Sequence, residues 1–189
     1  MAGRAGLNGP RTRGSWMVML MAFLSGCSTM RAEVEINAPP ARVWKLLQDL
    51  DGYKSWNPFF VQAKGKLTPG ESVDLVLKPV GKSPQGFSPK VLEVENERHI
   101  CWRGRLFIPL LFDGTHHLRI EAIDPHRVRF VQEEEFSGIF VPFVGFEPYR
   151  KGWQQMNAAL KQKAESEERK AKAQSRTAGE VRPPTNSVE

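Results

Sequence analysis

From residue 60 to residue 136 the chain is a run of short apolar-polar stretches, each closed by a turn signal. The stretches cover about Phe60–Leu67, Glu71–Pro79, Phe87–Val94, His99–Leu106, Thr115–Ile123 and Arg127–Phe136. The breaks are Thr68-Pro69-Gly70, Gly81-Lys82-Ser83-Pro84, Glu95-Asn96-Glu97, Asp113-Gly114 and Asp124-Pro125-His126, combinations that end strands. Parallel neighbours need a crossover of a dozen residues or more, and these gaps are too short for one. The stretches must therefore pair antiparallel, in chain order, as a meander.

Helical patterns flank the meander. AEVEINAPPARVWKLLQDL begins with Val34 and Ile36 on one face and Glu33 and Glu35 on the other, a half-buried strand. Pro39-Pro40 then opens a helix, where a missing N–H costs nothing, and Val43, Leu46, Leu47 and Leu50 give it an apolar stripe. DGYKSWNP leaves room for one short helical turn before Asn57-Pro58 stops it. IFVPFVGFEP reads as a loop. A long helix is predicted from about Pro148 to Lys170, with Tyr149, Trp153, Met156, Leu160 and Ala164 on one face. The polar remainder from about Ala171 is expected to be disordered.

Charge narrows the function classes. Three of the 27 basic residues, Arg4, Arg11 and Arg13, lie in the first 26 positions, which hold no acid, so 24 basic residues face 21 acidic ones from Cys27 onward. These are interleaved, without a basic helix face or a Gly-aromatic RNA-binding signature, and no nucleic-acid partner is expected. The chain lacks G-x-S-x-G, G-x-x-x-x-G-K and G-x-G-x-x-G, which weighs against hydrolysis, NTP use and hydride transfer. Two cysteines without paired C-x-x-C spacing make neither a disulfide framework nor a recognisable zinc site, so no metal and no cofactor is expected.

The first 26 residues read as a leader. A basic, Gly-rich segment precedes SWMVMLMAFL, which is too short for a transmembrane helix of ~20 residues but suits the apolar region of a secretory signal. Leu24-Ser25-Gly26-Cys27 resembles the bacterial lipoprotein signal at all four positions. The resemblance implies that Cys27 is lipidated and becomes the mature N-terminus, because only a thiol here can accept a diacylglyceryl group as a thioether. The expected organisation is a signal at 1–26, a short lipidated tether at 27–31, one domain at 32–170 and a polar tail at 171–189. The protein would then be held at a membrane of the cell envelope. Translation from Met30 is the alternative, and would leave a cytoplasmic domain.

The order of elements resembles the helix-grip fold of the SRPBCC superfamily, which includes START lipid-transfer domains, the birch-pollen allergen family and polyketide cyclases or dehydratases. EINAPPARVWKLLQDLDGYKSWNPF, CWRGRL and VQEEEFSG carry the likeness, which spans about residues 31 to 167. It implies an α+β fold: a curved antiparallel sheet of about seven strands wrapped on the C-terminal helix, with two short helices after the first strand plugging one end. It also implies a cavity between sheet and helix. Members bind lipids, sterols, polyketides or other apolar molecules, and only some are enzymes.

Strand parity selects the residues that would face such a cavity. Phe130, Gln132, Glu134 and Phe136 share the more aromatic face of the last strand. An inward carboxylate needs a partner or a raised pKa; Glu134 is either a ligand-binding acid or general base, or a structural group bonded to Arg103, Arg105 or backbone. His116 lies on the apolar face of the preceding strand and is either a satisfied core residue or a catalyst. His117 faces the other way, so the two cannot chelate one ion. Trp102 faces inward, next to the space left by Gly104. Cys101 has the opposite parity and, with no nearby base, is expected to be inert. Trp56 and Asn57 fall near the cavity mouth by the resemblance, Trp56 as a lid or a core residue, and Trp153 stands on the apolar face of the final helix. Five Trp and eleven Phe exceed what a collapsed small core needs, so a cavity of several hundred Å³ is expected around Gln132, Glu134 and His116.

Three readings follow. The first is a lipid-anchored protein that binds a small hydrophobic ligand without turning it over. The second is a cyclase-like enzyme using Glu134 or His116 for acid–base work. The third is an interaction module with a filled core.

Overall fold

The computed structural model describes residues 26–105 and 111–180; the leader and the last nine residues lie outside the described residues. Strand β1 (Gly26–Ile36) leads into helix α1 (Pro40–Gln48) and a 3-10 turn at Asp51–Ser55. Strands β2 (Phe60–Gly65), β3 (Val73–Leu77), β4 (Gln85–Phe87), β5 (Lys90–Glu95), β6 (His99–Arg105), β7 (Asp113–Asp124) and β8 (Arg127–Gly138) follow. A 3-10 turn at Val141–Phe143 precedes helix α2 (Glu147–Glu180). The fold is α+β, antiparallel sheets gripping a long C-terminal helix.

The strands form two sheets rather than one of about seven strands. β1-β8-β7-β6-β5 make the larger, β2-β3-β4 the smaller. The extra strand arises where Ser88 and Pro89 split the expected Phe87–Val94 stretch into β4 and β5, because Pro has no N–H to donate to a ladder. The sheets remain stitched: the Val91 N–H donates to Glu71 O at 2.8 Å and the Val73 N–H to Pro89 O at 3.1 Å.

β1 and β8 pair along their full length, from Gly26 opposite Gly138 to Ile36 opposite Val128. This corrects two boundaries. Residues 27–31, expected to be a tether, are strand, with Met30 2 % exposed and Arg31 outward. The expected disordered tail begins too early, because α2 continues through 171–180.

The segment after β1 follows from its prolines. Pro40 occupies the first helical turn of α1, where no side-chain cap is present, and its missing N–H is one that a helix end leaves orphaned. Val43, Trp44, Leu46 and Leu47 bury the inner face. The Tyr53 hydroxyl donates to Leu47 O at 2.8 Å, and full burial pushes its pKa far above the ordinary phenol value, helped by the Asp49 charge.

α2 lies against β1 and α1. Trp153, Met156, Leu160 and Ala164 bury its stripe. Lys161 Nζ donates to Glu35 O at 2.6 Å, and Glu165 Oε1 accepts from both Asn37 N and Asn37 Nδ2, at 2.9 and 3.0 Å. Gly152 presses on Phe59 so closely that a Cβ would enter the ring. Around Phe130, Leu118, Ile100, Met156 and Leu160 the interior between sheet and helix is closed.

Candidate functional site

A cavity of about 360 Å³ opens at one end of the sheet–helix interface, around His116 and Glu134 as expected but not reaching Gln132. Two groups of aromatic side chains wall it. Phe59, Phe60, Phe87 and Trp102 come from the sheets and the segment before β2; Phe112, Phe136, Phe146, Tyr149 and Trp153 come from the end formed by β7, β8 and the start of α2. Met30 and Leu77 add aliphatic surface.

Of the residues expected at the site, Trp102, His116, Glu134, Phe136 and Trp153 line this cavity. Four do not. Phe130 is wholly buried in the core. Gln132 points inward as parity requires, but its Nε2 donates to Asn157 Oδ1 at 2.6 Å, so it packs against α2. Asn57 Oδ1 accepts from the N–H groups of Phe59 and Phe60, at 3.0 and 2.9 Å, and fixes the entry to β2. Trp56 stacks edge-on against Tyr53, 5.2 Å between centroids; it is packed against the core rather than placed as a lid.

The polar floor is His116 with Glu134. The two are direct partners across β7 and β8, and His116 Nδ1 lies 3.2 Å from Glu134 Oε2. Glu134 thus finds its partner in the imidazole, not in Arg103 or Arg105, which bond Thr115 and Asp113. His116 is 3 % exposed, stacked on Trp102 at 5.4 Å and met edge-on by Trp153 at 4.7 Å. Its Nε2 is buried without a hydrogen-bond partner among the described residues. Gly114 makes room for this pair, since a Cβ there would strike the Glu134 carboxylate.

The rim carries further polar groups: the Tyr149 hydroxyl is 3.2 Å from Gln85 Oε1, and Arg105 is held by Asp113 at 2.8 Å. Gly104 lines the space between them, where a Cβ would touch Phe87 at 3.6 Å. Phe140 and Val144 close the mouth from the loop before α2. That loop is apolar on its outside too, with Phe143 78 % exposed beside the exposed Ile139 and Phe140. Sequence reasoning missed the contributions of Phe112, Phe140, Phe146 and Tyr149, because loops and helix starts carry no strand parity; the apolar run IFVPFVGF was the available signal.

A curved antiparallel sheet closed on a C-terminal helix around an apolar cavity defines a helix-grip protein. Residues 28–165 match the family described as polyketide cyclase / dehydrase and lipid transport, and the chain belongs to that family. Solved structures share the fold at low identity. A START superfamily protein from Mycobacterium smegmatis is 15 % identical with a TM-score of 0.59, over 75 % of this chain and 99 % of that one. A protein from Chromobacterium violaceum is 19 % identical, TM-score 0.59, over 72 % and 97 %. Norcoclaurine synthase from Thalictrum flavum, in complex with dopamine and hydroxybenzaldehyde, is 15 % identical, TM-score 0.56, over 85 % and 95 %. No curated protein sequence matches the chain.

Proposed function

We propose that this protein is an envelope lipoprotein, anchored through Cys27, whose cavity holds a small hydrophobic ligand of the lipid, polyketide or aromatic type without turning it over. The cavity is the observation that carries the reading: its volume falls in the range of small-molecule sites, and its apolar walls converge on few polar groups. Hydrophobic transfer supplies the affinity, at roughly 25 cal/mol per Å² of apolar surface buried. The His116–Glu134 pair and Tyr149 can orient a polar end of the ligand.

Membrane placement has its own support. Cys27 is exposed at the start of β1, opposite Ser137. Two residues beyond Ser137 the exposed apolar run Ile139, Phe140 and Phe143 begins. An acylated Cys27 and this loop would meet the bilayer at one end of the molecule, and Phe140 also rims the cavity mouth. A ligand could then pass between lipid and cavity without crossing water. The pairing of Cys27, Ser28 and Thr29 with Ser137, Phe136 and Glu135 favours a fold that includes them over one starting at Met30. Among the described residues no helix is long and apolar enough to cross a membrane.

Mass spectrometry of an organic extract of the purified protein tests the reading. An apolar molecule recovered near one equivalent is expected. An empty protein that also ignores apolar fluorescent probes would leave the interaction module. One observation favours the enzyme reading as second: His116 against Glu134, at the cavity wall, is an arrangement that can move a proton.

A further inference from the structure

On the sheet face away from the cavity, Cys101 and His117, which the sequence reading set aside, converge with His99. Cys101 and His117 are direct partners across β6 and β7, and His99 stands two residues before Cys101 on the same face. His99 Nε2 is 3.0 Å from His117 Nδ1, and the two rings lie parallel at 5.2 Å. One ligand atom from each of His99, Cys101 and His117 lies within 4.8 Å of the other two. The expectation that Cys101 has no base nearby is thus overturned: cross-strand register, which parity alone does not reveal, brings two imidazoles to it.

We propose that His99, Cys101 and His117 form a site for a divalent ion of the zinc class, with Glu93 as the group that orients His99. Tetrahedral zinc at ~2.0–2.1 Å from each nitrogen sets two imidazole nitrogens roughly 3.4 Å apart, close to the 3.0 Å spacing of His99 and His117. Two nitrogens and a thiolate suit a borderline-soft ion and disfavour calcium or magnesium, which take oxygen. The fourth position is left to water.

The surroundings agree with the assignment. His99 Nδ1 is 3.5 Å from Glu93 Oε2, the carboxylate–histidine arrangement that fixes a ligand's tautomer and leaves Nε2 as the donor to metal. Arg119, the cross-strand partner of His99, has its own counter-charge in Glu133 at 3.3 Å. The ion would tie β6 to β7, on the opposite face from the cavity.

Cobalt titration of the untagged full chain tests the site, because thiolate-bound tetrahedral Co²⁺ gives visible and near-ultraviolet bands that zinc then erases. One equivalent of Co²⁺ should produce these bands in the wild type and in Cys27→Ser, and none in Cys101→Ser. His117→Gln should weaken binding at least tenfold, and Glu93→Gln by about tenfold. Circular dichroism accompanies each variant; should Cys101→Ser misfold, the more exposed His99→Gln and His117→Gln changes decide. Absence of the bands in the wild type, or bands lost in Cys27→Ser but kept in Cys101→Ser, overturns the proposal.

Discussion

His116 and Glu134 meet across β7 and β8 with 3.2 Å between Nδ1 and Oε2, inside an aromatic cage formed by Trp102, Trp153 and Phe60. Glu134→Gln can keep an oxygen facing the ring nitrogen while removing the charge and exchanging one acceptor oxygen for an NH2 donor. In a binding protein the same molecule should be recovered, at the same mass, from wild type and variant. In an enzyme, losing an acid–base group slows the chemical step by about 10²–10⁴-fold, and a different, unreacted species should accumulate in the variant. Comparing the two extracts by mass spectrometry separates these cases; identical masses are expected.

Gly152 gives a prediction of inverted sign. In an ordinary helix interior Gly→Ala stabilises by up to about 1 kcal/mol. Here the new methyl would enter the Phe59 ring, which is 2 % exposed, and overpacking of this kind costs roughly 1–3 kcal/mol. Gly152→Ala should therefore lower the urea midpoint, and adding Phe59→Leu should recover part of the loss.

Glu165 ties α2 to the turn between β1 and α1. Burial pushes its pKa up, but hydrogen bonds from Asn37 and Lys161 outweigh that and hold it below the ordinary 4.5. A carboxyl with a depressed folded pKa contributes its stability above the unfolded value and loses it as pH falls through the folded one. Glu165→Gln should thus cost about 1 kcal/mol at neutral pH, and the gap to wild type should close progressively below pH 4.5. Denaturant melts across pH 3 to 7 on the order of unit steps check this.

The exposed loop predicts membrane behaviour in two steps. In a bacterial host Cys27→Ser should leave the protein unprocessed or release it from membranes. On that unlipidated background, Phe143→Ser should weaken co-flotation with vesicles by roughly tenfold or more, the ratio expected from an aromatic ring's burial energy of ~1.5–3 kcal/mol. Equal flotation with and without Phe143 would remove the loop from the membrane contact.

Much of this architecture was written in local patterns. Alternation placed β1, β7 and β8, and the turn residues placed most strand ends within two residues. The Pro39-Pro40 step marked α1, and the three-four spacing from Tyr149 to Ala164 marked the packed half of α2. Parity also sent His116, Glu134 and Trp102 inward correctly. What parity could not give was depth along the interface: Gln132 and Phe130 share a face with Glu134, but only Glu134 reaches the open end. The His99–Cys101–His117 cluster was hidden for a related reason. Each residue's face was readable, while their meeting depends on the β6–β7 register, which a one-residue slip would abolish.

The length of α2 has a consequence for how the chain holds itself together near its C-terminus. Burial of the helix ends at about Ala164 and its ion pairs with α1 at Glu167 and Glu168, while 172–177 are exposed. A segment of ten residues would not hold a helix alone in water, because the first turn is costly to nucleate and each later residue adds little. Here the packed half serves as the nucleus, and 171–180 propagate from it, aided by the Lys172–Glu168 pair at 3.5 Å. Their helicity is borrowed from the domain. Amide exchange along α2 should accordingly rise as a smooth gradient from Ala164 toward Glu180, and any change that loosens the grip on Trp153 or Leu160 should unwind the far end first.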